Sequence, residues 1–341
     1  MKILMLGGTG VISRAISAEL LARGHQLTIF TRGQRKDANV SDVRWLQGDR
    51  NDRAAFSELM RKEQPDVVID MIAFTPEDAK STLDAFAGRV QQIIICSSSL
   101  AYQRPYRSVP IREDAEVLCH IPESTFPRAF AKAEMERYLQ QRIRDEGLPI
   151  TIIRPSYTLG AGSAGFGILR QNYGVIDRIR KGKPLVMSGD GNQPWSYTFT
   201  PDLALAFAGA VGNPATYGQH YHATSEEPTV WKEAYLELGR ILGKEVNLFH
   251  MSSQALMTAA PQMCMHLYYE KSFSGAFDNS KIRRDIPDFR PRISLVQGMR
   301  DLLAWYEAEA AVVDPVKDAL EDRLFEANSQ LLGSIRNLHP N

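Results

Sequence analysis

The sequence contains few cysteines and no pairing pattern among them. Its three cysteines, Cys96, Cys119 and Cys264, are an odd number and lie far apart. This excludes a disulfide framework and leads us to expect reduced thiols in the cytoplasm. Histidine gives no ligand pattern either, because His250 and His266 lie sixteen positions apart without further ligand spacing. We therefore expect no metal site.

The chain also lacks an excess of charge of one sign and a long apolar run. Forty lysines and arginines balance forty aspartates and glutamates, so no global field favours nucleic acid or an anionic membrane. The apolar opening, residues 3–6, is too short for a membrane span or a signal peptide. With 341 residues, 44% of them hydrophobic, the chain can form two subdomains around a large core. The expected ligand is a small molecule.

A glycine-rich turn near residue 10 carries the most information. Gly7-Gly8-Thr9-Gly10 lies between the apolar run 3–6 and an amphipathic helix. Gly7 can take the positive φ of a tight strand-to-helix turn. Gly10 has no Cβ and lets a pyrophosphate approach the backbone N–H groups at the helix N-terminus. Ser13 stands where the dinucleotide fingerprint has its third small residue. The turn therefore predicts a bound dinucleotide.

Strands and helices then alternate along the chain. The pattern predicts strands at 26–30, 43–47, 67–71, 90–96, 150–153 and 220–223, with helices at 53–62, 76–86 and 128–146. Such alternation predicts an α/β fold, a Rossmann-type doubly wound parallel sheet with helices on both faces. Ligands bind at the carboxyl ends of the strands of such a sheet, so we expect the functional residues there.

The second strand leads into a basic loop. Thr31-Arg32-Gly33 stands where an NAD-binding chain has an acidic residue for the ribose hydroxyls, and Arg35 and Lys36 follow closely. A guanidinium matches a 2′-phosphate better than it matches a hydroxyl, which favours NADP over NAD. A solvated basic loop without a ligand is the open alternative.

Two further strand ends carry candidate cofactor residues. Asp49 and Arg50 follow the third strand, where a carboxylate is placed to accept a hydrogen bond from the adenine amino group. Ile72 and Ala73 follow the fourth strand, where the backbone must pass close beneath the cofactor. Asp70, just before them, can also be interpreted as a simple loop cap.

From the fifth strand onward the chain resembles a known family. A serine run, 97–99, precedes Tyr102, the segment 132–134 reads Lys-Ala-Glu in the next predicted helix, and Arg154-Pro155 closes the sixth strand. Together with the glycine turn, these motifs resemble the extended short-chain dehydrogenase/reductase family, which includes the NAD-dependent sugar-nucleotide epimerases and dehydratases. The resemblance covers residues 1 to about 308.

This resemblance implies roles for individual residues. Ser98, or Ser99 one position later, hydrogen-bonds the reacting carbinol or carbonyl oxygen, and Lys132 binds the nicotinamide ribose. The loop that begins at Pro155 lies against the nicotinamide. The remaining implied cofactor contacts are Thr9, Val11, Ile12, Ser97 and Tyr157.

The family's catalytic tyrosine is missing. In the family it lies four positions before the lysine, and Arg128 occupies that position here. A guanidinium has a pKa above about 12, stays charged and cannot be the general base. Three interpretations are open: another group moves the proton, Arg128 binds an anionic substrate, or the site is redox-silent. The candidate groups for proton transfer are Tyr102, Tyr106, Tyr157 and His120.

The resemblance also predicts the domain organisation. Residues 1–158 and 196–224 form the cofactor-binding domain, 159–195 and 225–309 a smaller α/β substrate-binding subdomain, and 310–341 a helical tail. Trp195 stands where the family often has an arginine that holds the diphosphate of a sugar nucleotide, so an ordinary sugar nucleotide is a less expected substrate. The tail is expected to pack on the body or on the second subunit of a homodimer.

Two hypotheses about function follow. The first is an NAD(P)-dependent epimerase, dehydratase or reductase that moves hydride at a carbinol or keto carbon of a sugar-like metabolite, with Arg128 in place of the tyrosine. The second is a catalytically silent dinucleotide-binding protein that binds RNA or a protein partner. The missing tyrosine and a loose similarity to the chloroplast stem-loop binding proteins favour the second. Ser98, Lys132 and the balanced charge favour the first.

Overall fold

The computed structural model describes residues 1–34, 43–163 and 166–338. The chain divides into two compact units. The first comprises Met1–Thr158, Ser196–Glu227 and Phe277–Ile293, and the second comprises Leu159–Trp195, Pro228–Ala276 and Ser294–Asn341. Arg35 and Lys36, predicted near the cofactor, lie outside the described residues.

Most of the longer strands belong to one sheet. In chain order the strands are β1 (Lys2–Leu6), β2 (Gln26–Thr31), β3 (Val43–Gln47), β4 (Val67–Asp70), β5 (Gln92–Cys96), β6 (Ile150–Pro155), β7 (Thr158–Leu159), β8 (Leu185–Ser188), β9 (Pro194–Trp195), β10 (Thr198–Phe199), β11 (His220–Ala223), β12 (Thr229–Val230) and β13 (Leu248–Met251). The seven-stranded sheet of the first unit has the order β11-β6-β5-β4-β1-β2-β3 and is parallel throughout. The strand order reverses between β1 and β4, and a ligand crevice is expected at the carboxyl ends there.

Helices cover both faces of this sheet. In chain order the α-helices are α1 (Val11–Ala22), α2 (Arg53–Arg61), α3 (Pro76–Phe86), α4 (Pro127–Glu146), α5 (Tyr173–Lys181), α6 (Thr200–Ala210), α7 (Trp231–Leu242), α8 (Ser253–Ala259), α9 (Pro261–His266), α10 (Ser280–Asp285), α11 (Leu295–Ala308) and α12 (Pro315–Arg336). One apolar core joins the sheet to α1 and α6, and another joins it to α2, α3 and α4. The predicted doubly wound Rossmann-type fold is confirmed.

The second unit combines short strands with the later helices. β8 and β13 form a parallel pair, and β9 and β12 form an antiparallel pair. The helices of this unit are α5, α7, α8, α9, α11 and α12. A single π-helical turn, Leu267–Lys271, follows α9.

The structure differs from the predicted domain division in two places. Residues 277–293, predicted in the substrate subdomain, belong to the first unit, because Ile282, Ile286 and Phe289 are buried in the core that contains α6. The tail that begins at residue 310 is not a separate element, since α12 belongs to the second unit. The substrate-binding role of the second unit stays a prediction.

Candidate active site

The glycine turn follows β1 and excludes side chains at two positions. Gly7 has a φ of +84°, and a Cβ there would lie 2.3 Å from Ile72 Cγ2. A Cβ on Gly8 would lie 2.2 Å from Ile29 Cγ2. The turn therefore brings the backbone of Gly7 close to Ile72, after β4, and the backbone of Gly8 close to Ile29 in β2. The positive φ of Gly7 is the one that the sequence predicts.

The N-terminus of α1 is open to a ligand. A Cβ on Gly10 would meet only Ser13 Oγ, at 3.8 Å. Gly10 is the N-cap residue, so no side chain caps the helix, and the first turn contains no acidic residue. Its N–H groups and the positive end of the helix dipole suit an anion. Val11 and Ile12, predicted cofactor contacts, lie in this first turn. The residues present fit a pyrophosphate.

A cavity of about 340 Å³ adjoins this helix end. Its lining is Thr9, Gly10, Thr31, Arg32, Gly33 and Gln34. Thr31 and Arg32, at the end of β2, therefore line the same cavity as the glycine turn. Arg32 is the cation that the sequence predicts beside the adenosine ribose.

The residues after β3 do not all have the predicted position. Asp49 is exposed, and its Oδ1 accepts a hydrogen bond from the Asn51 N–H at 2.9 Å. Arg50 is buried, and its guanidinium donates to the Asp70 carboxylate, the Asp78 carbonyl and the Thr82 hydroxyl. The guanidinium therefore stabilises the fold, and its position contradicts the predicted contact with the cofactor.

Asp70 organises the loop that follows β4. One of its oxygens, Oδ1, accepts hydrogen bonds from the N–H groups of Ile72 and Ala73 at 3.0 and 2.8 Å. Both oxygens lie 3.0 Å from Arg50 Nη1, and Oδ2 accepts from the Thr82 hydroxyl at 2.6 Å. This fixes the loop so that Ile72 packs against Gly7 and yet stays 40% exposed. Asp70 therefore has the geometry of a loop cap, because its carboxylate accepts hydrogen bonds from the backbone of the loop that follows it.

Lys132 joins the ends of β4 and β5. Its Nζ donates to the Ala73 carbonyl at 2.7 Å and to the Cys96 carbonyl at 3.0 Å. An ammonium has three N–H groups, so one further hydrogen bond can be made. Burial lowers the pKa of this ammonium below its ordinary value. The structure places Lys132 at the carboxyl edge of the sheet, where the resemblance requires it.

Phe74 is a site residue that the sequence reasoning missed. Its ring lies 5.2 Å from Lys132 Nζ and 5.6 Å from Arg128 Cζ, both cation–π distances. Arg128 is exposed, and it lies one helical turn before Lys132 on α4. The aromatic ring therefore holds two cations on one side of α4, an arrangement that suits an anionic group. No local sequence pattern around Phe74 indicated this contact.

The three serines after β5 have different surroundings. Ser97 donates to Glu136, another residue that the sequence reasoning missed although it lies one turn after Lys132 on α4. Ser99 is buried. Ser98 is half-buried, and its Oγ accepts from the Leu100 N–H at 3.2 Å. The Ser98 hydroxyl keeps its proton to donate, and this geometry favours Ser98 over Ser99 for the predicted contact with substrate.

Tyr102 lies in a buried network. Arg154 Nη1 donates to its phenol oxygen at 2.8 Å, and Arg154 forms an ion pair with Glu136. The phenol also lies 3.4 Å from His222 Nδ1. Burial raises the pKa of the phenol above its ordinary value. This position contradicts the predicted role of Tyr102 in proton transfer, since a buried phenol bonded to Arg154 is held in the core.

Two of the other three candidates for proton transfer, Tyr106 and His120, contact arginines. Tyr106 accepts from Arg104 Nη2 at 2.9 Å. The His120 ring nitrogen lies 3.1 Å from Arg137 Nη2 on the outside of α4. Tyr157 follows Pro155 at the end of β6, is half-buried and packs on Tyr197.

The β5–β6 register sets the place of Tyr157. Cys96 pairs with Ile153 in the parallel sheet. Ser98 and Tyr157 therefore leave neighbouring strand ends at the same edge of the sheet.

The described parts of the chain contain neither a helix that could span a membrane nor a cluster of metal-binding side chains. No helix among residues 1–34, 43–163 and 166–338 combines the length and apolarity of a membrane span. The same residues contain no cluster of three or more histidine, cysteine, aspartate or glutamate side chains that could hold a metal ion.

A family model and known proteins resemble this chain. The model described as "NAD dependent epimerase/dehydratase family" matches residues 3–223. The 2'-dehydrokanamycin reductase of Streptomyces kanamyceticus is 26% identical over 247 residues, which cover 72% of this chain and 68% of the reductase. The chloroplast stem-loop binding protein of 41 kDa b of Arabidopsis thaliana is 27% identical over 245 residues, which cover 66% of this chain and 59% of the plant protein.

Solved structures of low sequence identity share the fold. The UDP-glucuronic acid 4-epimerase from Bacillus cereus, solved in complex with NAD, superposes with a TM-score of 0.70 at 18% identity. The superposition covers 91% of this chain and 99% of the epimerase. At this sequence identity the likeness concerns the fold alone.

The Asp70 network predicts a large effect of one substitution. In Asp70→Asn the buried Arg50 guanidinium loses the nearer of its two carboxylate partners and keeps Asp78, whose Oδ1 lies 3.7 Å from Arg50 Nε. We expect the free energy of unfolding to fall by about 3 kcal/mol. Urea denaturation measures this. Asp84→Asn is the matched control, because Asp84 pairs with Lys80 on the exposed side of α3 and should cost less than about 1 kcal/mol. Equal losses in the two variants would contradict the assignment.

Proposed function

The chain belongs to the NAD dependent epimerase/dehydratase family, and we propose that it is an NAD(P)-dependent reductase of a sugar-like ketone that carries a negative group. The observation that carries the proposal is the pairing of Lys132 and Arg128 over Phe74 at the carboxyl edge of the sheet. The similarity to a 2'-dehydrokanamycin reductase supports the direction of the reaction and a keto-sugar substrate.

The coenzyme, when bound, supplies the hydride. The glycine turn and the open N-terminus of α1 hold the pyrophosphate, and Ile72 supports the cofactor from the side of β4. Lys132 uses its remaining N–H group on the nicotinamide ribose, because its other two bind the Ala73 and Cys96 carbonyls. These residues would hold the coenzyme at the edge of the sheet where Ser98 lies.

Ser98 and Tyr157 act on the reacting oxygen in this proposal. Ser98 donates a hydrogen bond to the carbonyl, which favours attack at the carbon. The Tyr157 phenol would give its proton to the oxygen of the reduced carbonyl, and solvent would return a proton to the phenolate. We assign this proton to Tyr157 because it is half-buried and leaves β6 at the edge of the sheet where Ser98 leaves β5.

Arg128 takes a binding role in place of the family's tyrosine. A guanidinium donates hydrogen bonds and is not suited to move a proton. Exposed and backed by the Phe74 ring, it suits a phosphate or carboxylate group of the substrate. A substrate with such a group is therefore expected to bind more tightly than its neutral analogue.

The preference for NADP rests on Arg32. This residue lines the cavity beside the α1 N-terminus together with Thr31 and Thr9. A 2′-phosphate on the adenosine ribose gives the guanidinium a charged partner, whereas NAD offers only a hydroxyl.

The three cysteines are free and buried, which supports a cytoplasmic location, where thiols stay reduced.

The alternative is a silent dinucleotide-binding protein with an RNA or protein partner. The similarity to a chloroplast stem-loop binding protein and the missing tyrosine support it. The equal numbers of basic and acidic residues weigh against RNA as the main ligand, because RNA binding needs a basic surface.

A reductase assay separates these functions and the two residue roles. Purified protein is mixed with NADPH and a panel of keto-sugars with and without a phosphate, and the loss of reduced-nicotinamide absorbance is followed. We expect turnover, with Arg128→Gln raising KM for phosphorylated substrates about 10- to 100-fold at nearly constant kcat. Tyr157→Phe should lower kcat about 100-fold or more and leave KM nearly unchanged.

Tyr106→Phe is the matched control for the second variant and should keep full kcat. Equal losses in Tyr106→Phe and Tyr157→Phe would exclude Tyr157 as the proton donor. An Arg128→Gln variant with unchanged KM would remove the anion-binding role. Absence of turnover in the wild-type protein with every substrate would favour the silent alternative.

The coenzyme preference has its own test. Arg32→Ala should lower kcat/KM for NADPH about 10- to 100-fold and leave kcat/KM for NADH nearly unchanged, because only the 2′-phosphate contact is lost. Arg44→Ala is the control, since Arg44 lies on the neighbouring strand β3 and pairs with Glu63. Parallel losses for both coenzymes in Arg32→Ala would contradict the preference for NADP.

A further inference from the structure

The first unit contains a second, larger cavity that the proposed function does not use. Its volume is about 910 Å³, which lies within the usual range of small-molecule sites. Its walls include residues 102–120 after β5, part of α4 and residues 278–284 around α10. Among the described residues, it shares no lining residue with the cavity beside α1. We propose that it binds a small zwitterion, a metabolite that carries one carboxylate and one ammonium group.

Lys281 supplies an unpaired cation at the wall of this cavity. It is half-buried on α10, its Nζ donates to the His220 carbonyl at 2.8 Å, and the same atom lies 5.0 Å from the centre of the Tyr221 ring. Among the residues that the structure describes, no carboxylate forms an ion pair with it. Burial lowers the pKa of this ammonium below its ordinary value. Two of its three N–H groups are therefore available to a carboxylate of a ligand.

Glu113 supplies a buried anion at the same wall. Its side chain is 4% exposed, and Oε1 accepts a hydrogen bond from the His222 N–H at 3.1 Å. The His222 ring nitrogen Nε2 lies 3.6 Å from Oε1, but burial lowers the pKa of this imidazole to about 4, so the ring is neutral near pH 7. No lysine or arginine in the described ranges pairs with Glu113, and burial raises the pKa of its carboxyl group. Its remaining lone pairs can accept from an ammonium.

The other charged side chains at the wall already have partners. Each of the four arginines that line the cavity pairs with a carboxylate: Arg112 with Asp114, Arg137 with Glu134, Arg154 with Glu136 and Arg284 with Asp285. Glu116 and Asp278 accept hydrogen bonds from backbone N–H groups and are only half-buried, so that water also reaches them. Lys281 and Glu113 are therefore the charges that a ligand has to match.

These two charges determine the chemical class of the ligand. Buried lysines and glutamates are normally paired, yet Lys281 and Glu113 line one cavity without forming an ion pair with each other. A ligand with an anionic group alone would leave Glu113 uncompensated, and a cationic one would leave Lys281 so. A neutral sugar would leave both. Only a zwitterion compensates the two charges at once, and amino acids and short peptides are ligands of this kind.

The first test uses the wild-type protein and titration calorimetry. The probes are the twenty common L-amino acids, Gly-Gly and, as a neutral comparison, glucose. We expect at least one zwitterion to bind with a Kd of about 1 mM or below. For the tightest of them, the analogue without the amino group and the analogue without the carboxylate should each bind at least about 10-fold more weakly. Binding of no zwitterion, equal affinity for either analogue, or binding of glucose alone would overturn the proposal.

Substitutions then test the location. Glu113→Gln keeps an oxygen for the His222 N–H, and Lys281→Gln keeps an N–H donor, so each removes a charge with little change of shape. Each should weaken binding of that zwitterion at least about 10-fold. The matched controls are Glu123→Gln, exposed in the same loop as Glu113, and Arg283→Gln, exposed on α10 and paired with Glu226.

Both controls should keep the wild-type affinity, and equal losses in controls and variants would overturn the assignment. The analogue comparison with the wild type decides the matter even if a variant does not fold. Saturating NADPH and the substitution Gly10→Asp should leave the affinity for the zwitterion unchanged, because the two cavities are separate. Competition between NADPH and the zwitterion would show a shared site and would overturn the proposal as well.

Discussion

The carboxylate of Asp70 is the interaction on which the cofactor edge of the first unit depends. It fixes the N–H groups of Ile72 and Ala73, and Arg50 balances its charge in the core. The Ile72 side chain, held in this way, packs against Gly7 of the glycine turn. The Ala73 carbonyl accepts a hydrogen bond from Lys132 and so fixes the position of its ammonium. One buried carboxylate thus connects the two ends of the proposed coenzyme site, the glycine turn and Lys132, which lie far apart in the sequence.

The sequence predicted the elements whose causes are local. The glycine turn, the alternation of strands and helices and the carboxyl-edge position of Lys132 follow from φ requirements, periodicity and topology, and the parallel sheet confirms the predicted fold. The errors at Arg50 and Tyr102 have a different origin. Both residues follow strand ends, where ligands bind, but long-range contacts to Asp70 and Arg154 draw them into the core. The spacing of motifs along the sequence does not indicate which distant side chains will contact each other in the core.

Arg128 separates this chain from the pattern that it resembles. In the family a phenol beside the lysine moves the proton, and here a guanidinium beside the lysine can only hold charge. Phe74 explains how two cations are accommodated one helical turn apart, because its ring interacts with both. In the proposed function this exchange moves the proton step to Tyr157 and gives the site an affinity for anions. The same fold can thus keep hydride chemistry while its substrate changes.

The central claim is that the open N-terminus of α1 binds the pyrophosphate of a nicotinamide coenzyme. Titration calorimetry of NADPH into the wild type, Gly10→Asn and Gly10→Asp tests it most directly. Asn and Asp cap a helix equally well, so stability should be similar in the two variants, whereas the Asp carboxylate should repel the pyrophosphate. The account predicts at least about 10-fold weaker binding to Gly10→Asp than to Gly10→Asn. Equal affinities, or a wild type that takes up neither NADPH nor NADH, would contradict it.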